Sequence, residues 1–116
     1  MDYKFINTEY LDSVSGGDPE IIREIVIIFK DQVIEIYNEM KSHFSAKNYN
    51  SLGLLAHKAK SSASIMGMND LALMLKTFEL QAREGKKSEL YESYITRYKT
   101  ETEAAVKELE DLINTG

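Results

Sequence analysis

The stretch Ala56–Gly67, AHKAKSSASIMG, decides how the rest of the chain is read. It sets one histidine beside two lysines and a run of small residues. At about 3.6 residues per turn, positions i−4, i+3, i+4 and i+7 share a helix face. Gly53, His57, Lys60, Ser61 and Ser64 therefore form one stripe, and Leu52, Leu55, Ala59 and Met66 fall opposite. The pattern is that of an amphipathic helix. His57 is then either one more polar residue on a solvent face or a reactive group presented by a rigid backbone.

Asn48 in the Ala46-Lys47-Asn48 turn is the expected N-cap of this helix, and Gly67 its left-handed stop. Upstream, Asp18-Pro19-Glu20 combines a capping residue, proline at the first helical position and an acid in the first turn. A long helix begins there, with Ile21, Ile22, Ile25, Val26, Ile28, Phe29, Val33, Ile36, Tyr37 and Met40 as its apolar face. That face is wider than one neighbour requires. It either packs against several elements or leaves a part, Ile22 and Val26 included, for a partner. Thr8, Tyr10, Leu11 and Val14 suggest a short leading helix that ends at Ser15-Gly16-Gly17. Downstream, Asn69 reads as the cap of a helix carrying Leu71, Leu75, Phe78 and Ala82 and closed by Gly85. Ser88 reads as the cap of a last helix, with Tyr91, Tyr94, Ile95, Tyr98, Thr102, Ala105, Leu109, Leu112 and Ile113 at helical spacing.

Four long helices joined by short turns close as antiparallel neighbours. The expected fold is all-α, an up-down-up-down four-helix bundle with a short additional N-terminal helix. A length of 116 residues fits one domain spanning 1–116. One proline and six glycines, placed between the periodic stretches, disfavour sandwiches and barrels, which need frequent turns. With no cysteine, disulfides and thiolate chemistry are excluded. A net charge of −5, from 19 acidic and 14 basic residues, argues against nucleic acid as the main partner. No run approaches the roughly 18 apolar residues that span a bilayer, and MDYKFINTEY lacks the basic and apolar regions of a secretory signal. The expectation is a cytoplasmic protein without a membrane role. A start at Met1 points to a standalone module, although a domain cut from a longer chain would look similar, and nothing demands more than a monomer.

Most catalytic constellations are missing. There is no glycine-rich phosphate loop, no GxSxG elbow and no HExxH. His43, in KSHFS, has no small-residue surround and reads as a surface or end-of-helix residue. His57 differs. It lies opposite the core stripe, and small neighbours at Gly53, Ser61 and Ser64 would let another protein close over the ring. Lys58 and Lys60 offer positive charge to an anion formed there. An ordinary imidazole is largely neutral at cytosolic pH and therefore nucleophilic.

His57-Lys58-Ala59-Lys60-Ser61-Ser62, followed by Gly67, resembles the His-x-Leu-Lys-Gly-Ser-Ser…Gly signature of histidine-containing phosphotransfer (HPt) domains. Asp18-Pro19 opening a long helix with Phe29, Asn48 before the histidine helix, and Phe78-Glu79 through Arg83-Glu84-Gly85 are similar to that family's layout. The resemblance implies that His57 is the phosphoacceptor and that Lys60 interacts with the phosphoryl group. It implies a carrier with no kinase site and no cofactor of its own, magnesium being held by the partner. Its partners would be response-regulator receiver domains and a hybrid sensor histidine kinase. The small stripe and the wide apolar face of the long helix put the docking surface over Gly53, Leu54, Ser61, Ser64, Ile22 and Val26. Two positions depart from the pattern. Ala59 replaces leucine, trimming a core contact. Ser61 replaces glycine one turn after His57, where its hydroxymethyl group either narrows access or donates to a phosphoryl oxygen.

Two other readings compete. In the phosphoacceptor domain of a sensor kinase an acid normally follows the histidine, and Lys58 stands there instead. In a helical adaptor without chemistry, the broad apolar face of the long helix would bind the partner and His57 would be incidental.

Overall fold

A computed structural model describes Ile6, Glu9, Asp12, Ser13 and residues 16–115. Within them lie four α-helices and no strand: α1 Pro19–Ser45, α2 Tyr49–Ile65, α3 Asn69–Glu84 and α4 Tyr91–Thr115. Of the expected leading helix, Glu9, Asp12 and Ser13 have helical backbone. Thr8, Tyr10, Leu11 and Val14 lie outside the described residues. Ile6 is buried, and its amide donates to Glu108 Oε1 at 3.2 Å, which ties this residue to α4.

The start of α1 follows the sequence signals. Asp18 stays extended and its carboxylate accepts from the Glu20 amide at 2.9 Å, satisfying one of the free donors of the first turn. Val26, Phe29, Val33, Ile36 and Met40, spaced three and four apart, form its buried stripe. The surplus apolar face is only partly covered, because Ile21, Ile27, Ile28 and Ile34 remain exposed.

The other caps differ from expectation in detail. Asn48 precedes α2 but makes no side-chain capping bond. The cap position of α3 belongs to Met68, with Asn69 already helical. Burial of the Met68 side chain draws the chain into the helix one residue early. Gly67 takes φ 74°, a conformation nearly free of cost only for glycine, so that the Met68 amide can reach Ala63 O at 2.9 Å. Ser88 opens a single 3-10 turn, Ser88–Leu90, and the α-helical part of the last element starts at Tyr91.

Each helix is tied to its neighbours by specific pairs. Gln32 on α1 meets Ser62 on α2 at 2.8 Å. His57 on α2 meets Glu79 on α3, and Phe78 on α3 stacks at 5.1 to 5.4 Å against Tyr94 and Tyr91 on α4. Lys30 on α1 pairs with Glu110 on α4 at 2.9 Å. Of these contacts, α2 against α3 is the most extensive. The buried residues of α2 include Gly53, Ala56, Ala59 and Ala63, and at Gly53 the backbone lies directly against Glu79 and Arg83 of α3.

Candidate functional site

That close approach positions the site. His57 stands mid-way along α2, its side chain 54 % exposed, with Nδ1 3.1 Å from Glu79 Oε1. The Glu79 side chain is only 8 % exposed. Lys60, one turn beyond His57, brings Nζ to 3.7 Å from the same oxygen. Arg83, one turn after Glu79 on α3, takes the other oxygen, Nη2 to Oε2, at 3.0 Å. One buried carboxylate thus faces three cationic or potentially cationic groups.

Burial alone would push the Glu79 carboxyl up. The hydrogen bond and charge of His57, with the charges of Arg83 and Lys60, outweigh it and hold the group below the usual carboxylate range. Glu79 is therefore ionised near neutrality. An ionised carboxylate can only accept hydrogen bonds, so Nδ1 of a neutral His57 must carry the proton. The lone pair is left on Nε2, on the half-exposed ring. The arrangement suits a nucleophilic nitrogen whose positive charge, developed on bond formation, is met by a fixed anion.

The neighbouring residues divide into two groups. Lys60 joins the Glu79 cluster, but Lys58 does not. It lies about 100° further round the helix from His57. There it edges a groove of about 370 Å³ between α1 and α2, with Ile25, Ile28, Ser61 and Ile65. Leu54, Ser61 and Ser64 are exposed, as a docking surface needs. The Ser61 hydroxyl donates back to His57 O at 3.3 Å, so it is engaged with its own helix. Gly53 and Val26 have to be corrected. Gly53 is buried against α3, because a helix wheel places a residue on a side without saying which neighbour fills it. Val26 is 2 % exposed and belongs to the core. Ile22 is half-buried and packs on that core beside Leu112 and Ile113. His43 lies half-buried in the last turn of α1, where a cation suits the helix dipole.

Glu79 and Arg83 were not among the site residues expected from the sequence. The signal was present: a carboxylate directly after Phe78, on the flank of an otherwise apolar face, with an arginine four residues on. Among the described residues, no group of three or more histidines, cysteines or acids is placed to hold a metal ion. Among the same residues, no helix is long and apolar enough to cross a membrane.

The Hpt domain family model matches residues 24–115. No curated protein and no solved structure matches the chain.

Proposed function

The chain belongs to the Hpt domain family, whose members are phosphocarriers of two-component phosphorelays, and from that premise we propose that His57 is its phosphoacceptor. The observation that carries this reading is the half-exposed ring with its inner nitrogen engaged by a buried, ionised carboxylate. Hpt domains engage the receiver domains of response regulators. Here a receiver's aspartyl phosphate is the donor, and a second receiver's aspartate takes the group onward. A hybrid sensor kinase is the expected source of the first receiver.

In the forward step, His57 Nε2 attacks phosphorus. The N–P bond forms, the P–O bond to the aspartate breaks, and the carboxylate leaves with the electron pair. The proton on Nδ1 stays where it is, so the product ring carries positive charge against Glu79. Lys60, only 3.7 Å from Glu79 and outside hydrogen-bond distance, is free to turn its ammonium to the phosphoryl oxygens. Positioning and charge stabilisation suffice for such a transfer. Magnesium and the acidic cluster belong to the receiver, and the carrier needs no cofactor.

Docking falls on Leu54, Ser61 and Ser64, with Lys58 and the α1/α2 groove beside them. The antiparallel up-down-up-down arrangement of a single domain, which we take to act as a monomer, is supported by pairs at both levels of the α1/α4 seam. Lys30 meets Glu110, while Lys99, nearer the start of α4, stands 5.1 Å over the ring of Tyr37, further along α1. A cytoplasmic location is in keeping with this reading.

Incubation with a phosphorylated receiver tests it. The wild-type chain should acquire an acid-labile phosphate and His57→Gln none. Equal labelling of the two proteins would sink the assignment.

A further inference from the structure

Resting on the assignment of His57 just made, we propose that Arg83 is a positioning residue for the phosphotransfer, acting through Glu79, and that position 53 is glycine so that the Arg83 side chain can lie there.

Three observations converge. The first is how the Glu79 carboxylate is shared. Oε1 serves His57 and lies near Lys60, whereas Oε2 is held by Arg83 at 3.0 Å. Lys60 is the residue that must leave when a phosphoryl group arrives. Arg83 is then the cation that remains on Glu79, fixing the carboxylate's rotation and offsetting its charge against a phosphoryl group of roughly −2.

The second is steric. A Cβ built on Gly53 would lie 2.8 Å from Arg83 Cγ, 3.3 Å from Glu79 O and 3.4 Å from Arg83 N. The nearest atom is in the middle of the arginine stem, so relieving the clash displaces the guanidinium beyond it. Glycine therefore opens a channel across α2 in which the stem runs, with the charged end at the surface.

The third is exposure. The Arg83 side chain is 45 % exposed while Glu79 is nearly covered. Loss of the guanidinium would leave a carboxylate oxygen with neither full solvent nor a partner. That carboxylate would then turn, and the Nδ1–H of His57 would lose its fixed acceptor.

The readouts are the imidazole ¹⁵N spectrum of His57, which separates the Nδ1–H from the Nε2–H form, and the single-turnover rate of transfer from a phosphorylated receiver. Arg83→Gln should raise the Nε2–H share and slow transfer about tenfold, the scale of one lost charged hydrogen bond. Arg83→Lys, which keeps the charge, should recover most of both. Gly53→Ala should reproduce the Arg83→Gln spectrum without altering any charged group. A residue that only packs α2 on α3 would lower the unfolding midpoint and leave spectrum and rate alone. Wild-type spectrum and rate in folded Arg83→Gln would therefore overturn the proposal. A wild-type spectrum in Gly53→Ala would overturn its glycine half. If no receiver labels the wild type, the assignment of His57 fails, and the spectra still decide whether Arg83 holds the ring through Glu79.

Discussion

Toward α2, helix α3 offers Glu79 and Arg83 to Gly53, His57 and Lys60. Toward α4, the same helix offers Phe78 and Gln81 to Tyr91 and Tyr94. The first seam is narrow, lined with small residues and charged. The second is thick and aromatic, with its hydroxyls satisfied by Gln81 Oε1 and by the carbonyls of Gln81 and Lys86. Adjacent residues, Phe78 and Glu79, thus serve opposite ends: one supplies cohesion, the other a reactive environment. Cohesion along α3 therefore does not rest on the ion cluster alone, because the opposite flank buries large rings at Phe78 and Tyr91.

Phe78→Ala gives that division its hardest test. The ring is fully buried, and its loss should destabilise the fold by about 3 to 5 kcal/mol, the usual cost of truncating a core aromatic. Denaturant unfolding measures this. In the fraction that remains folded, the imidazole spectrum of His57 should match the wild type. A changed tautomer there would mean that the two flanks are one mechanical unit.

How far this division was legible in the sequence differs between the flanks. Apolar periodicity alone placed Phe78, Leu75, Ala82, Tyr91 and Tyr98 correctly in the core, because burying large side chains leaves few alternatives. Asp18-Pro19-Glu20 marked the start of α1 because its signals are local, and the structure repeats them. Asn69 and Ser88 misled, since residue type favours a cap but burial of Met68 and the 3-10 turn set the actual boundaries. The exposure of His57 followed from the helix wheel. Glu79 and Arg83 did not, because their role depends on α2 arriving at contact distance, and that depends on small residues in a different helix. For the same reason Gly53 looked like open space and is instead a point where α3 lies too near for a Cβ.

Tyr91→Phe probes the aromatic flank more gently. The phenol is fully buried, and burial foremost, with Tyr49, Glu89 and Tyr94 nearby, pushes its pKa up, so it stays a donor. It reaches Gln81 O at 2.8 Å and Lys86 O at 2.5 Å, pinning the turn after α3 to the start of α4. Removing it should cost about 1 kcal/mol, because Gln81 O keeps its bond from the Lys86 amide. Amide hydrogen exchange should accelerate around Gly85 and Lys86 while α2 is unaffected. Equal acceleration near His57 would again blur the two seams.

Glu79→Gln carries the smallest expected effect on stability, and its sign depends on which force wins at a buried carboxylate. Burial raises the carboxyl, but the hydrogen bond and charge of His57, then Arg83 and Lys60, prevail, so the folded value lies below the ordinary 4.5. A depressed folded pKa means that the ionised group stabilises the fold above the unfolded value, and that this contribution fades as pH falls through the folded one. Two of the three partners are about half exposed, so solvent screening keeps the contribution within about 1 kcal/mol. Urea unfolding of both proteins from pH 7 down to 3 should show wild type the more stable near neutrality, with the gap closing below about 4.5 as Glu79 takes up its proton. A gap that instead widens in acid would mean that burial dominates. Glu79 would then be a neutral acid held in the seam, the opposite of the fixed anion on which the reactivity of His57 depends.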